Sequence, residues 1–229
     1  VLNAYISQTQ RLLNDEQAQF YSTSDLTQFI NIGRSTLAYQ SECLIANGAI
    51  STMNGQQTYG LANISPPPGG YLSAINVRSI ISRVNGVSSV LEKRPWQWFT
   101  NYKLQGQTGN QTGVPTVWSM QNQGAMGFVW FWPIPNGTVN LTPEVSWVPQ
   151  ALTFDTDPEI LGYPWTDAVP YFAAYLAYVN AQRGSDAERM MGMFNAFMKA
   201  SRGGVTPEWM PSVFPALRSV PGGEGALGQ

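Results

Sequence analysis

Residues 164–201 read PWTDAVPYFAAYLAYVNAQRGSDAERMMGMFNAFMKAS, and the fold is decided in this stretch. Thr166-Asp167 is a polar start signal, and Pro170 is tolerated in a first helical turn. Val169, Phe172, Ala173, Leu176 and Asn180 then share one helical face, while Tyr171, Tyr175 and Tyr178 share another. A helix that is apolar nearly all round must be covered on most sides. Gly184 is expected to end it. Ser185 and Glu188 have the Ser-x-x-Glu spacing of a capping box, which opens a second helix. There Ala187, Met190, Phe194 and Phe197 recur every three or four residues, with Met191 and Met198 beside them. Two such helices across a short turn form an αα-hairpin, and a methionine-lined face adapts to an imperfect partner. Tyr171, Tyr175, Tyr178, Met190 and Phe194 are therefore candidates for helix or subunit packing.

The N-terminal end is helical as well. Leu2, Ile6 and Leu13 line one side of a first helix. Ser22 and Ser24 are N-cap candidates for a second, with Asp25 favourably placed at its positive end. Leu26, Phe29, Ile30, Leu37 and Leu44 recur close to the 3.6-residue period, and Asn47-Gly48 is expected to supply a left-handed C-cap. Gly33 lies on the same stripe, where glycine costs about 1 kcal/mol relative to alanine. A close helix crossing there would offset that cost, so Gly33 marks an expected packing point.

Between these helical ends, short β-type runs alternate with Gly, Pro and Asn turns. The expected strands are 57–62, 75–84, 87–91, 96–104, 114–121, 127–132 and 138–148. Asn85-Gly86 and Asn136-Gly137 both carry the hairpin dipeptide. Strands at this spacing suggest an antiparallel sandwich or barrel. Phe128, Trp130 and Trp132 are expected to fill its core. Val129 and Phe131 then face the other way and require cover from outside the sheet. The same tryptophans, with Trp96, Trp98, Trp118 and Trp147, also suit sugar stacking, so a glycan-binding module is the alternative reading.

The fold class is thus α+β: a bundle of N- and C-terminal helices carrying an inserted β-sandwich or barrel. The expected organisation is N-terminal helices at 1–48, a β domain at 49–152, a helical hairpin at 153–202 and an extended arm at 203–229. The arm is spaced by Pro207, Pro211, Pro215 and Pro221, yet it carries Trp209, Met210, Val213, Phe214 and Leu217. Disordered tails are poor in such residues, so docking on a partner is the expectation.

Composition narrows the function. Charged residues make up 11% of the chain, against roughly 25% in ordinary soluble domains. Amides outnumber them, with 17 Gln and 15 Asn against 12 basic and 14 acidic residues. Low charge together with many aromatics and methionines is the composition of protein interfaces. A net charge of −2 argues against sequence-independent nucleic-acid binding as the main role. No run is long and apolar enough for a membrane span, and no membrane partner is expected.

The absence of histidine removes the commonest general base and metal ligand, and every Ser-His or Cys-His nucleophile pair. The single thiol, Cys43, excludes an internal disulfide and reads as buried and inert. Asp155, Asp157 and Glu159 alternate as in a calcium loop, but they lack its glycine and its terminal glutamate, and Pro158 interrupts them. Turn formation explains that run more simply. No catalytic, cofactor or metal residue is expected. A carboxylate-pair hydrolase is the remaining enzyme reading.

Several stretches together resemble the head-to-tail adaptor (connector) proteins of podovirus-like tailed bacteriophages. They are Ser24-Asp25-Leu26, Phe29-Ile30-Asn31 and Gly33-Arg34, then Pro164-Trp165-Thr166-Asp167-Ala168-Val169. Tyr171–Ala177, Asn180-Ala181-Gln182 and Asp186-Ala187-Glu188-Arg189 follow, and the lead-in runs from Pro133 through Trp147 to Leu152. The resemblance implies a structural virion protein at the neck, assembled in the host cytoplasm and needing no cofactor. It implies a ring, usually dodecameric, below the portal protein, extending the channel through which DNA passes. The tail nozzle, and possibly tail fibres, would bind that ring. Carried onto this chain, Trp209, Met210, Phe214 and Leu217 would dock on the portal. The shared pattern contains no catalytic residue.

Overall fold

Leu2–Leu13 (α1) and Thr23–Ser41 (α2) open the chain in a computed structural model that describes residues 1–84, 86–104 and 111–202. The β part follows, with strands β1 (Ile45–Asn47), β2 (Ile50–Ser51), β3 (Thr58–Gly60), β4 (Tyr71–Val84), β5 (Val87–Val90) and β6 (Glu92–Lys93). A helix α3 (Trp96–Leu104) precedes β7 (Thr112–Gly113), β8 (Val117–Gln121), β9 (Phe128–Trp132), β10 (Ile134–Pro135) and β11 (Asn140–Pro149). Helices α4 (Val169–Asn180) and α5 (Gly184–Ser201) complete the described chain.

The architecture is α+β, as expected. Helix α1 buries Leu2, Tyr5, Ile6, Thr9 and Leu13 along one stripe and stops where Asn14 turns left-handed at φ 54°. Helix α2 is capped by the Ser22 hydroxyl, which accepts the Asp25 N–H at 3.1 Å, and it buries Leu26, Ile30 and Leu37 completely. The Tyr178 hydroxyl donates to the Leu12 carbonyl, the Tyr21 hydroxyl to the Ala177 carbonyl, and the Arg202 guanidinium to the Gln40 carbonyl. Helices α1 and α4 therefore run one way through the bundle, and α2 and α5 the other. Ala173, Ala174 and Ala177 are fully buried, which lets α4 sit close to its neighbours.

The strands form two main sheets. In one, β1, β11, β4 and β5 lie in that order, with β2 also on β11; in the other the order is β3, β9, β8, β6. Most pairings are antiparallel, while β6 with β8 and β10 with β7 are parallel. Tyr59, Trp118, Val129, Phe131, Val145 and Trp147 join the helical side chains in one continuous core.

Several local expectations are corrected. Residues 96–104 are helical rather than extended, since Trp96 and Phe99 fall one helical turn apart after Pro95, and Trp96 lies 4.8 Å from the Trp130 ring. In β9 it is Val129 and Phe131 that are buried, at 1% and 0% exposure, while Phe128 is 38% exposed. Trp130 and Trp132 are half-buried, and cover on the Trp130 side comes from α3 within the chain. Strands β4 and β5 do pair antiparallel, with Val84 opposite Val87. Asn136-Gly137 does not join a hairpin: β10 pairs with β7, and the following segment exchanges hydrogen bonds with Thr52.

The helix ends also differ. Helix α2 stops at Ser41, with Glu42 left-handed at φ 51°, because residues 44–47 pair with β11 instead. Asn47-Gly48 is therefore strand edge, not cap. Trp165–Ala168 is a 3-10 turn leading into α4, so Thr166 and Asp167 do not cap it. Helix α4 ends at Asn180, and Gln182 turns left-handed at φ 56°, the reversal expected of Gly184. Gly184 begins α5, and Ser185 makes no capping bond; an Arg183–Asp186 ion pair occupies that turn.

Candidate interaction site

The carboxylates that suggested a cation loop are each engaged elsewhere. Asp157 Oδ2 accepts the backbone N–H groups of Thr153 (2.6 Å) and Phe154 (2.8 Å) and the Thr153 hydroxyl (3.0 Å). The Phe154 and Thr153 amides hold its carboxyl below the usual carboxylate range. Asp155 accepts the Asn3 N–H at 2.9 Å, at the start of α1. Among the described residues, no group of three His, Cys, Asp or Glu side chains gathers in metal-binding geometry. Burial pushes the Cys43 thiol up, towards its less nucleophilic form.

Glu159 is the centre of a buried polar knot. Its carboxylate takes a two-pronged contact from Arg34, Nε to Oε2 at 2.9 Å and Nη2 to Oε1 at 2.8 Å. The Tyr5 hydroxyl and the Leu161 N–H complete its partners. Burial alone would raise the Glu159 pKa, but the Arg34 guanidinium outweighs it and the carboxyl titrates below its ordinary value. Burial and the adjacent Glu159 charge raise the Tyr5 phenol. Arg34 is only 1% exposed. The sequence reading missed this burial, although Arg34 falls one turn from Ile30 and from Leu37 on the stripe of α2, and a buried arginine demands an acid. Which acid answers it is a matter of tertiary contact.

The other packing candidates lie inside the chain. A Cβ on Gly33 would stand 3.4 Å from Phe172 and from the Val169 carbonyl, so α2 and α4 approach closely there. Phe172 packs on Phe194 at 4.9 Å, and Tyr171 stacks on Phe197 at 5.0 Å. Phe194 and Met190 are buried. Tyr175 is half-buried against Phe172, and Tyr178 is covered by the Arg183 guanidinium at 4.8 Å. Trp209, Met210, Phe214 and Leu217 fall outside the described residues.

Exposed apolar side chains are more informative about partners. Phe20, Tyr163, Met126, Phe154, Val87 and Val90 each expose more than two-thirds of their surface. Beside Phe20, an open groove of about 580 Å³ lies at the bundle end, lined by Leu13, Asn14, Tyr21, Tyr178 and Arg183. Such surface suits contact with other proteins. By contrast, Trp118 and Trp147 are completely buried and Trp96 packs on Trp130, so those rings are spent on internal packing.

Residues 4–214 match the family described as SU10 adaptor protein, which is nearly the whole chain. The chain belongs to the SU10 adaptor protein family. It is therefore a structural adaptor protein of a bacteriophage, in line with the head–tail adaptor resemblance of its helical segments. The match spans both helical ends and the β part. No curated protein matches the chain. No helix among the described residues is long and apolar enough to cross a membrane.

Proposed function

We propose that this adaptor forms a ring at the neck of the virion, between the portal protein above and the tail nozzle below. Genomic DNA passes through the ring without being bound as a ligand, and the role is non-catalytic. Membership of the SU10 adaptor protein family carries this reading. It is supported by a surface with few charges and several exposed large apolar side chains. Ring closure follows from one head-to-tail contact repeated around an axis, and a dodecamer is the expected copy number. Residues 203–229 form the portal-docking arm, with Trp209, Met210, Phe214 and Leu217 as its apolar anchors, and the tail nozzle and fibres attach on the opposite side.

Electron microscopy of the full chain mixed with its portal protein tests the proposal. A ring stacked on the portal is expected, and failure to form any ring at saturating portal would overturn it. Truncation of residues 203–229 should abolish docking. Unchanged portal binding by the truncated chain would remove the arm from the proposal and leave the ring intact.

A further inference from the structure

Two segments connect the helices to the sheets among the described residues: 42–44, between α2 and β1, and 150–164, between β11 and the turn before α4. The first is short and tied to the sheet. The Glu42 carboxylate accepts from the Asn76 amide at 3.1 Å and from the Ser146 hydroxyl at 3.3 Å. The sheets also pack on the bundle through one continuous core, and the second segment runs between the two. Residues 150–164 contain no helix or strand and no backbone ladder.

Leu152 and Leu161 anchor the segment in the core, Asp155 and Glu159 accept from Asn3 and Tyr5 of α1, and two α2 side chains add a further polar grip. Arg34 Nη1 donates to the Gln150 carbonyl at 2.7 Å, and its other prongs grip Glu159. Asn31 clasps Leu152 at both backbone groups, donating to its carbonyl at 2.9 Å and accepting its N–H at 2.8 Å. Asn31 Oδ1 also receives Arg34 Nη1 at 3.3 Å, so the two grips are one network. Glu159 in turn accepts the Leu161 N–H at 2.9 Å. Residues 150, 152, 159 and 161 are thus held to a single turn of α2.

A buried ion pair of this kind is a poor source of net stability, because desolvating both charges offsets their attraction. We propose that the Arg34–Glu159 pair and Asn31 act as a latch, which fixes residues 150–161 in one register on α2. The latch needs the flat, forked guanidinium, since one residue must reach Gln150, Asn31 and both Glu159 oxygens at once. This inference stands apart from the ring reading.

The test is hydrogen exchange on the full chain, read segment by segment, with thermal unfolding as the check on folding. The double variant Arg34→Met/Glu159→Met removes both charges and should unfold at nearly the original temperature. Its amides in 150–161 should exchange about ten-fold faster or more, while those of α2 and α4 keep their protection. Arg34→Lys keeps the charge but not the fork, and should loosen the same segment. Unchanged exchange at 150–161 in the double variant would overturn the latch. So would a double variant that cannot fold, since the pair would then supply stability rather than register. An Arg34→Lys protein indistinguishable from the original would show that charge alone suffices, and would equally defeat the proposal.

Discussion

Arg34 and Glu159 concentrate the electrostatics of the protein in one place. Because the folded Glu159 carboxyl titrates below its ordinary value of 4.5, its contribution is fully present above that pH and is lost as pH falls through the folded value. Asp157 and Asp15 are shifted the same way, so they add to the acid limb. Tyr5 is shifted upward from 10.0; its contribution is present below that pH and is lost as the unfolded phenol ionises above it. Urea midpoints measured across pH should therefore form a plateau that falls off below about pH 4.5 and above about pH 10. Glu159→Gln should lower the plateau and flatten, without abolishing, the acid limb. An acid limb of unchanged depth in that variant would contradict the assignment.

At the scale of elements, two glycines separate what a pattern suggests from what packing requires. Gly33 was expected at a helix crossing, and α4 does pass over it, yet a methyl group would meet only ordinary contact distances there. Gly48 was expected to end a helix through a left-handed backbone. Instead it lies beside β11, where a Cβ would come within 2.7 Å of Ile64 Cγ2, 3.0 Å of Trp147 Cζ2 and 3.1 Å of the Ser65 carbonyl. The carbonyl belongs to a backbone bridge between Ala49 and Ser65, so it cannot move aside cheaply. Gly48→Ala should destabilise by about 1–3 kcal/mol, the usual cost of overpacking a filled site. Chemical denaturation will show it, and a change below about 0.5 kcal/mol would mean the crowding is relieved.

For the whole molecule, the scarcity of charge makes a further claim about assembly. Contacts between exposed charges are screened over about 8–10 Å at ordinary salt, whereas apolar contacts are not. Side chains such as Phe20, Phe154 and Tyr163 carry the exposed apolar surface. The complexes proposed with the portal should therefore survive a rise from about 0.1 to about 1 M sodium chloride in sedimentation experiments. Dissociation over that range would point to ionic contacts as the main hold.

The two helical ends, the β insertion and the lack of histidine chemistry were legible in the sequence. Periodicity and composition are local or summed properties, and they need no knowledge of what lies across the core. The Ser22 cap, the Leu26–Ile30–Leu37 stripe and the Val84–Val87 hairpin are of this kind. Elements with competing partners were not legible. Residues 44–47 gave up helix for β11, residues 96–104 became a helix lying on Trp130, and β10 took β7 rather than β11 as its neighbour. The Arg34–Glu159 latch belongs with them. Its residues lie 125 positions apart, and only the folded chain brings the guanidinium to the one carboxylate that satisfies it. The sequence by itself determined the two helical ends, the β part between them, the low charge and the likeness to phage adaptors. Tertiary structure decided which partner each strand, helix end and buried charge obtained, because those choices rest on long-range contacts that no local pattern encodes.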